Sequence, residues 1–284
     1  MRWLGWLCLY LPLLVQAQTL TIKVPRLPVN QMAEQYQLPL LRMALEKSGI
    51  PFKIIQVPTT LTQDSISREL ENGKLFNLFW MGTSSDLERR LTAIPIPLFR
   101  GLEGVRVAII HRDDQEAFAR IKNLDELRQR KAAQGVGWGD NRVLETAGIP
   151  TYAGRFHTLF HLINDHREVD FFPRGMIEAY AEQRELAAQY PNLMIVPHLQ
   201  LRYPYAQFFF VGHNQKALAE ALRTGLERLY ADGSFLRFFR DNPLVREALA
   251  QTSLTPQVTL DLVNPDLTPA LKAVPAAYWE SPQP

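Results

Sequence analysis

Hydrophobic and polar positions follow two rhythms along this chain. Thr19 to Val24 alternates apolar with polar and is rich in β-formers, which predicts a strand. Leu40, Leu41, Ala44 and Leu45 recur at helical spacing, with Pro39 near the start and Gly49 just past the end, so a helix follows. Phe52 to Val57 is a second strand. Thr60 and Gln63 form a capping pair for a helix that runs through Leu70 and stops at Gly73. Leu75 to Trp80 is a third strand. A β-α-β-α-β order of this kind predicts a parallel sheet.

A second series begins at Val105–Ile110. Asn123, with Glu126 three residues on, caps a helix from Leu124 to Lys131. Gly135–Trp138 is a short strand, and Asp140 caps a helix that Gly148 ends. Arg155 to His166 is amphipathic, with Phe156, Leu159, Phe160 and Ile163 on one face. Val169–Phe172 is a strand, Met176 to about Gln189 a helix and Leu193–Val196 another strand. Gln207–Val211 is continuously apolar, as a buried strand should be. A helix from about Gln215 to Tyr230 breaks at Asp232-Gly233, and Ser234 caps a short one. Beyond Thr252 the prolines Pro256, Pro265, Pro269 and Pro275 predict a tail extended over the surface. No repeat of solenoid period interrupts the pattern.

The first residues set the compartment. Arg2 precedes an apolar run from Leu4 to Val15, and Val15-Gln16-Ala17 is a small-x-small cleavage site. Residues 1–17 read as a secretory signal peptide, too short in its apolar part to span a membrane. Cys8, the lone cysteine, lies inside it and follows residues too bulky for a lipid-attachment box. The mature chain then has no disulfide or thiol chemistry. The formal net charge of the full sequence, +2 with the charges mixed, argues against a nucleic-acid or anionic-membrane surface. An exported, disulfide-free chain with no second long apolar run fits the periplasm of a Gram-negative-type cell.

Candidate chemistry concentrates between Gly73 and Pro97. A strand ends in Trp80, and Thr83, Ser84, Ser85, Arg89 and Arg90 follow at once. Aromatic ring, hydroxyls and guanidiniums suit the capture of a small anion, since the planar arginine fork matches a carboxylate in two parallel bonds. Arg174, between Pro173 and Gly175 at a strand-to-helix turn, offers a second such fork. Arg89 and Arg90 would otherwise pair with Asp86 and Glu88 on a solvated face. Trp80 and Trp138 each end a predicted strand and either stack on a ligand or belong to the core. Gly137-Trp138-Gly139-Asp140 opens a helix, whose backbone NH groups receive either an anion or the Asp140 side chain. His157 and His161 lie four apart on a helix but lack the ligand set of a metal site, and no metal or cofactor is expected. Tyr203 and Tyr205 are cleft residues or packing.

The element order, Glu88-Arg89, the Pro-rich Ile94-Pro95-Ile96-Pro97 and the late Asp232-Gly233 together resemble the family 3 solute-binding proteins. These are polar-amino-acid receptors of ABC importers, with the type 2 periplasmic binding protein fold. The resemblance covers nearly the whole mature chain. The stretches Gly137 to Asp140, Phe172 to Gly175 and Asn264-Pro265 are similar to those of a branch of that group to which no ligand is assigned. The resemblance implies an α/β fold of two lobes, each a mainly parallel sheet flanked by helices, joined by two crossings. Lobe one would be residues 18–101 and 205–284, and lobe two residues 102–204. It also implies a carboxylate clamp at Gly82-Thr83-Ser84 with Arg89, or Arg90 in its place. Where the family binds an ammonium with an aspartate, this chain has Arg174 or Gly175. Glu178, one turn further, is a substitute.

The expectation is therefore a periplasmic receptor that closes around a small polar solute, anionic or amino-acid-like, without chemistry. Its expected ligand-binding set is Trp80, Thr83, Ser84, Arg89, Arg90, Trp138, Asp140, Arg174 and Glu178. The partner would be an ABC permease or a membrane sensor, and the chain a monomer that is not embedded in the membrane. The alternative is a dehydratase of the cyclohexadienyl type on the same fold, with Glu178 as proton donor.

Overall fold

The computed structural model describes residues 19–29, 31–252 and 258–280. The expected signal peptide at residues 1–17, with Cys8, lies outside them. No helix among the described residues is long and apolar enough to cross a membrane.

The described strands are β1 (Leu20–Arg26), β2 (Phe52–Pro58), β3 (Phe79–Gly82), β4 (Leu91–Ile94), β5 (Val105–His111), β6 (Ala132–Gly135), β7 (Thr151–Gly154), β8 (Phe171–Gly175), β9 (Leu193–Arg202), β10 (Gln207–Gly212) and β11 (Val258–Asp261). They form three sheets flanked by helices, an α/β architecture. β1 pairs with β2 in parallel, and β10 lies between β3 and β4 in an antiparallel trio. The third sheet has the order β11-β9-β5-β8-β6-β7. There β11–β9, β8–β6 and β6–β7 run parallel, while β9–β5 and β5–β8 run antiparallel.

The first βαβ unit forms as its sequence dictates. Leu40, Leu41, Ala44 and Leu45 are fully buried on the helix Leu38–Ser48, which Gly49 ends at φ 80°. A π-helical turn, Ala33–Gln37, precedes it and was not anticipated. The next helix, Gln63–Asn72, is capped by Thr62 rather than Thr60, the Thr62 hydroxyl accepting from Ser65 N–H.

The expected third parallel strand departs from the prediction. Asn77 breaks the ladder: its Oδ1 accepts from Lys23 N–H at 2.7 Å and its Nδ2 donates to Thr21 O at 2.8 Å. The Asn77 backbone N–H also donates to Lys23 O at 3.0 Å, so one residue, backbone and side chain together, holds the edge of β1. The continuous ladder begins only at Phe79, with β10.

β5 is buried at every residue, which explains its nearly unbroken apolar run in the centre of the large sheet. Arg106, at its start, is the exception the site depends on. β5 begins and β9 ends where the chain passes between the sheets, and the two passages touch, Tyr203 N–H donating to Gly104 O at 3.0 Å. A Cβ at Gly104 would lie 2.0 Å from Tyr203 O, so only glycine fits there.

From Val258 the tail runs over the surface as expected, but it is pinned at several points. β11 adds to β9 at the edge of the large sheet. Asn264 Nδ2 then donates to Pro204 O at 2.8 Å, and Asp266 reaches the helix Ser85–Arg90. Arg100 holds the tail's end through Ala277 O at 3.1 Å, Trp279 O at 3.0 Å and Glu280 Oε2 at 2.8 Å. Leu271 and Trp279 are buried, which supplies the apolar reason for the path.

Candidate functional site

A cavity of about 130 Å³ lies between the small sheets and the large one. From the small-sheet side it is lined by Pro25, Leu27, Gln37, Thr62, Gln63, Phe79, Trp80 and Gln207. From the large sheet come Gly135, Trp138, Arg155, Phe156, His157, Arg174, Glu178 and Glu182. The two sides meet across the rim, where Gln63 Nε2 donates to Gly137 O at 3.1 Å.

Arg174 sits on β8 and points into an acidic and aromatic nest. Its Nε and one terminal nitrogen grip Glu182 at 2.8 and 2.6 Å, a bidentate pair, and Glu178 Oε2 lies 2.8 Å away. The two glutamates stand one turn apart on the helix Met176–Leu186, so both carboxylates reach the same guanidinium. The rings of Trp138, Phe156 and Phe172 surround it, with Cζ 4.7, 5.3 and 5.3 Å from their centroids. Burial alone would lower the Arg174 guanidinium, but Glu178 and Glu182 outweigh it and raise it. For Glu182 burial wins over Arg174 and pushes the carboxyl up to about 7.

Behind this nest a second buried group reaches the chain crossings. Arg106 donates to Asp140 Oδ2 at 2.7 Å, and the Tyr203 hydroxyl donates to the same oxygen at 2.8 Å. Glu103 and Glu178 each lie 3.8 Å from Arg106. A Cβ on Gly175 would be 2.8 Å from Glu103 Oε2 and 3.2 Å from Glu178 Oε2, so the two carboxyls share one small space. Burial, then the Glu178 charge, raises the Glu103 carboxyl well above its usual range. Two guanidiniums thus face four carboxyls (Glu103, Asp140, Glu178, Glu182), a formal 2 − 4 = −2 when all are ionised.

Of the expected ligand-binding residues, Trp80, Trp138, Arg174 and Glu178 line the cavity. Asp140 is buried in the ionic group behind it and makes no side-chain cap to the helix Asn141–Thr146, so the expected cap is absent. Thr83, Ser84, Arg89 and Arg90 are elsewhere. Thr83 donates to Glu88 Oε1 at 2.6 Å, and Ser84 caps its own helix by accepting from Leu87 N–H. The space beside them is filled by Tyr205, whose hydroxyl oxygen would lie 1.9 Å from a Cβ on Gly82.

The expected clamp is thus packed shut, and a carboxylate of the protein already occupies its mouth. Asp266 accepts from Ser85 N–H at 2.9 Å and also from the Ser85 hydroxyl. Arg89 pairs with Asp86 at 3.0 Å with its side chain 69% exposed, and Arg90 pairs with Asp86 and Glu71. Arg89 thus takes the solvated-face alternative with Asp86, whereas Arg90 is half-buried and also donates to Ser67 Oγ at 3.1 Å.

The sequence did not single out Arg155, Phe156, Gln37, Gln207 or Glu182. Arg155 is the exposed guanidinium lining the cavity, and no side-chain hydrogen bond or ion pair of its own holds it among the described residues. Its signal was local: it directly follows the buried Gly154 at the end of β7 and precedes the helix Phe156–Asn164, a strand-to-helix turn like that of Arg174. Gln37 donates to Gln207 Oε1 at 3.3 Å, while the buried Gln37 Oε1 has no hydrogen-bond partner. His157 lines the cavity, whereas His161 is exposed and faces Asp165 at 3.5 Å. No third ligand joins these two histidines among the described residues.

Comparison with protein-family profiles and with curated proteins finds no match. Solved structures do match in fold. An ancestral arginine-binding protein bound to arginine has a TM-score of 0.58 at 16% identity, covering 78% of this chain and 98% of that one. A histidine kinase sensor domain with similarity to periplasmic binding proteins has a TM-score of 0.60 at 16% identity, covering 80% and 96%. The ancestral amino-acid-binding protein AncCDT-1, described as a precursor of cyclohexadienyl dehydratase, has a TM-score of 0.55 at 13% identity, covering 78% and 94%. The fold of this chain is therefore the periplasmic binding protein-like fold of amino-acid ABC transporter substrate-binding proteins.

Proposed function

We propose that this chain is a periplasmic solute-binding protein whose cavity takes a small zwitterionic, amino-acid-like solute. The supporting observation is the polarity of the cavity. The exposed Arg155 sits in its lining without an ion pair, and Glu178 and Glu182 with their aromatic neighbours line the same space. A ligand carboxylate would meet Arg155, and an ammonium would meet the acidic nest and the unpartnered Gln37 oxygen. A purely anionic solute is disfavoured, because Arg174 already serves two carboxylates.

The cavity is bounded by both sides of two adjoining chain passages, the arrangement that lets two lobes close on a ligand. Under this reading the lobes are residues 18–101 with 205–252 and residues 102–204, and the tail returns along both. The protein captures its solute without chemistry and presents it to an ABC permease or a membrane sensor.

The test is a thermal-shift screen of the mature protein against neutral, acidic and basic amino acids. A ligand at about 100 times its dissociation constant adds roughly 2.7 kcal/mol, or about 5 to 10 °C at this size. Arg155→Ala is expected to leave the unliganded melting point unchanged and to weaken the ligand at least tenfold. No stabilisation by any amino-acid-like solute would sink the reading.

The dehydratase reading keeps one observation. Glu182 lines the cavity with its carboxyl pushed up to about 7, where a carboxylic acid can give up a proton at neutral pH. A turnover assay on each stabilising ligand, prephenate and arogenate included, separates receptor from enzyme.

A further inference from the structure

At the end of β5 remote from the cavity, two imidazoles and a carboxylate converge. His111 closes the strand and is buried. The ring of His166, which follows the helix Phe156–Asn164, stacks on it with centroids 3.9 Å and planes 33° apart, so the exposed His166 ring has to swing off the stack to direct a nitrogen at a shared ion. Asp113, in the turn after β5, brings Oδ2 to 3.7 Å from His111 Nδ1. One donor atom from each of His111, Asp113 and His166 lies within 4.8 Å of the others. Arg106, at the other end of the strand, is five residues away, about 17 Å at the usual strand rise.

From this geometry we infer a binding site for one divalent transition ion of the zinc class, held by His111, Asp113 and His166.

Two nitrogens and one carboxylate oxygen suit zinc, copper or nickel, and are a poor set for magnesium or calcium, which prefer oxygen alone. Tetrahedral ligands about 2.1 Å from an ion stand roughly 3.4 Å apart, so the site closes with a contraction of about 1 Å or a little more. Asp113 and His166 together can supply it, their side chains being 75% and 46% exposed.

Two further features suit a ligand set more than a chance cluster. His166 Nε2 lies 2.7 Å from Asp114 Oδ2. Bound to that carboxylate, Nε2 carries the proton and Nδ1 is left as the donor. Metal-bound histidines characteristically have this second carboxylate. His111 Nδ1 now accepts a long, 3.2 Å bond from Asp113 N–H, a lone pair that an ion can take over. Three protein ligands leave a fourth position for water. The ion would tie the end of β5 to the end of the neighbouring helix, independently of any solute in the cavity.

Isothermal titration of the tag-free mature protein with zinc chloride tests this. The expected result is one saturable site per chain that is not competed by excess magnesium or calcium. His166→Ala should abolish that binding while leaving the far-ultraviolet spectrum unchanged, because the residue is exposed. Asp114→Asn should weaken it about tenfold or more. Zinc should raise the melting temperature of the native sequence and not that of His166→Ala. The inference fails if the intact protein shows no saturable one-to-one site. It also fails if His166→Ala binds zinc as tightly as the native sequence, or if His157→Ala or His161→Ala removes the binding instead.

Discussion

Two pairs of arginines face opposite fates in this molecule. Arg89 and Arg90 stand on the short helix after β3, in the stretch whose sequence most resembles an anion clamp. They pair with acids close by, Arg89 at the surface and Arg90 half-buried beside it. Arg106 and Arg174 stand on adjacent strands of the large sheet and are almost wholly buried among four carboxyls. The residue type is the same, and its surroundings decide what it does. A guanidinium in water gains little from a partner, whereas a buried one cannot be left without it.

The contrast is sharpest at Arg174. Removing a guanidinium from a buried pair strands the opposing charge, at a cost of about 3 to 5 kcal/mol. Arg174→Leu would leave Glu178 and Glu182 facing each other inside the protein. We expect a fall in melting temperature on the order of 10 °C, read by calorimetry or urea unfolding. The triple substitution Arg174→Leu, Glu178→Gln, Glu182→Leu should recover most of the loss, since an uncharged set of similar volume tolerates the site better than a stranded charge. A single variant as stable as the native protein would remove the distinction between the two pairs.

The next largest effect is on pH dependence. The Glu182 carboxyl rises to about 7 in the folded chain, and the Glu103 carboxyl also rises. The unfolded chain releases these protons near the ordinary glutamate value. Between the two values the folded state therefore holds more protons, and stability falls as pH rises. The contribution is fully present below about pH 4.5 and lost on passing 7. For Glu182 it amounts to at most about 3 kcal/mol. Glu182→Gln should flatten the slope of unfolding free energy between pH 5 and 7. An unchanged slope would mean that other groups set it.

What could be read from the sequence follows the same division between local and distant causes. Leu40, Leu41, Ala44, Leu45 and Gly49 specify their helix within one segment, and the structure agrees. Trp80, Trp138 and Arg174, on or just after strands, and Glu178, in the first turn of the helix after β8, could be picked out from their local segments as residues that would line a cavity between the sheets. Asn77 gave no local sign that its amide would replace a ladder with β1, 54 and 56 residues away. Asp266 lies 181 residues from Ser85, and nothing near Ser85 announces that a carboxylate will arrive there. Tyr205 fills the space beside Gly82 only once two chain passages lie together. The expected clamp does not stand open in this structure for these reasons: its motif is local, but its occupants are not.

The smallest effect is also the most direct test of that failure. Among the described residues the Arg89 guanidinium pairs with Asp86 alone, three residues before it on the same helix, and water has access to both. Exposed pairs of this kind contribute about 0 to 1 kcal/mol, and less as salt rises. Arg89→Ala should therefore shift unfolding by less than about 1 kcal/mol. It should leave the affinity for any amino-acid-like ligand unchanged, while Arg155→Ala weakens the same ligand. If titration calorimetry instead finds Arg89→Ala weakening the ligand as much as Arg155→Ala does, the order is reversed. The solute would then have to displace Asp266 from Ser85 and bind where the sequence first placed it. The cavity beside Arg174 would be packing space, and Arg155 an ordinary surface cation.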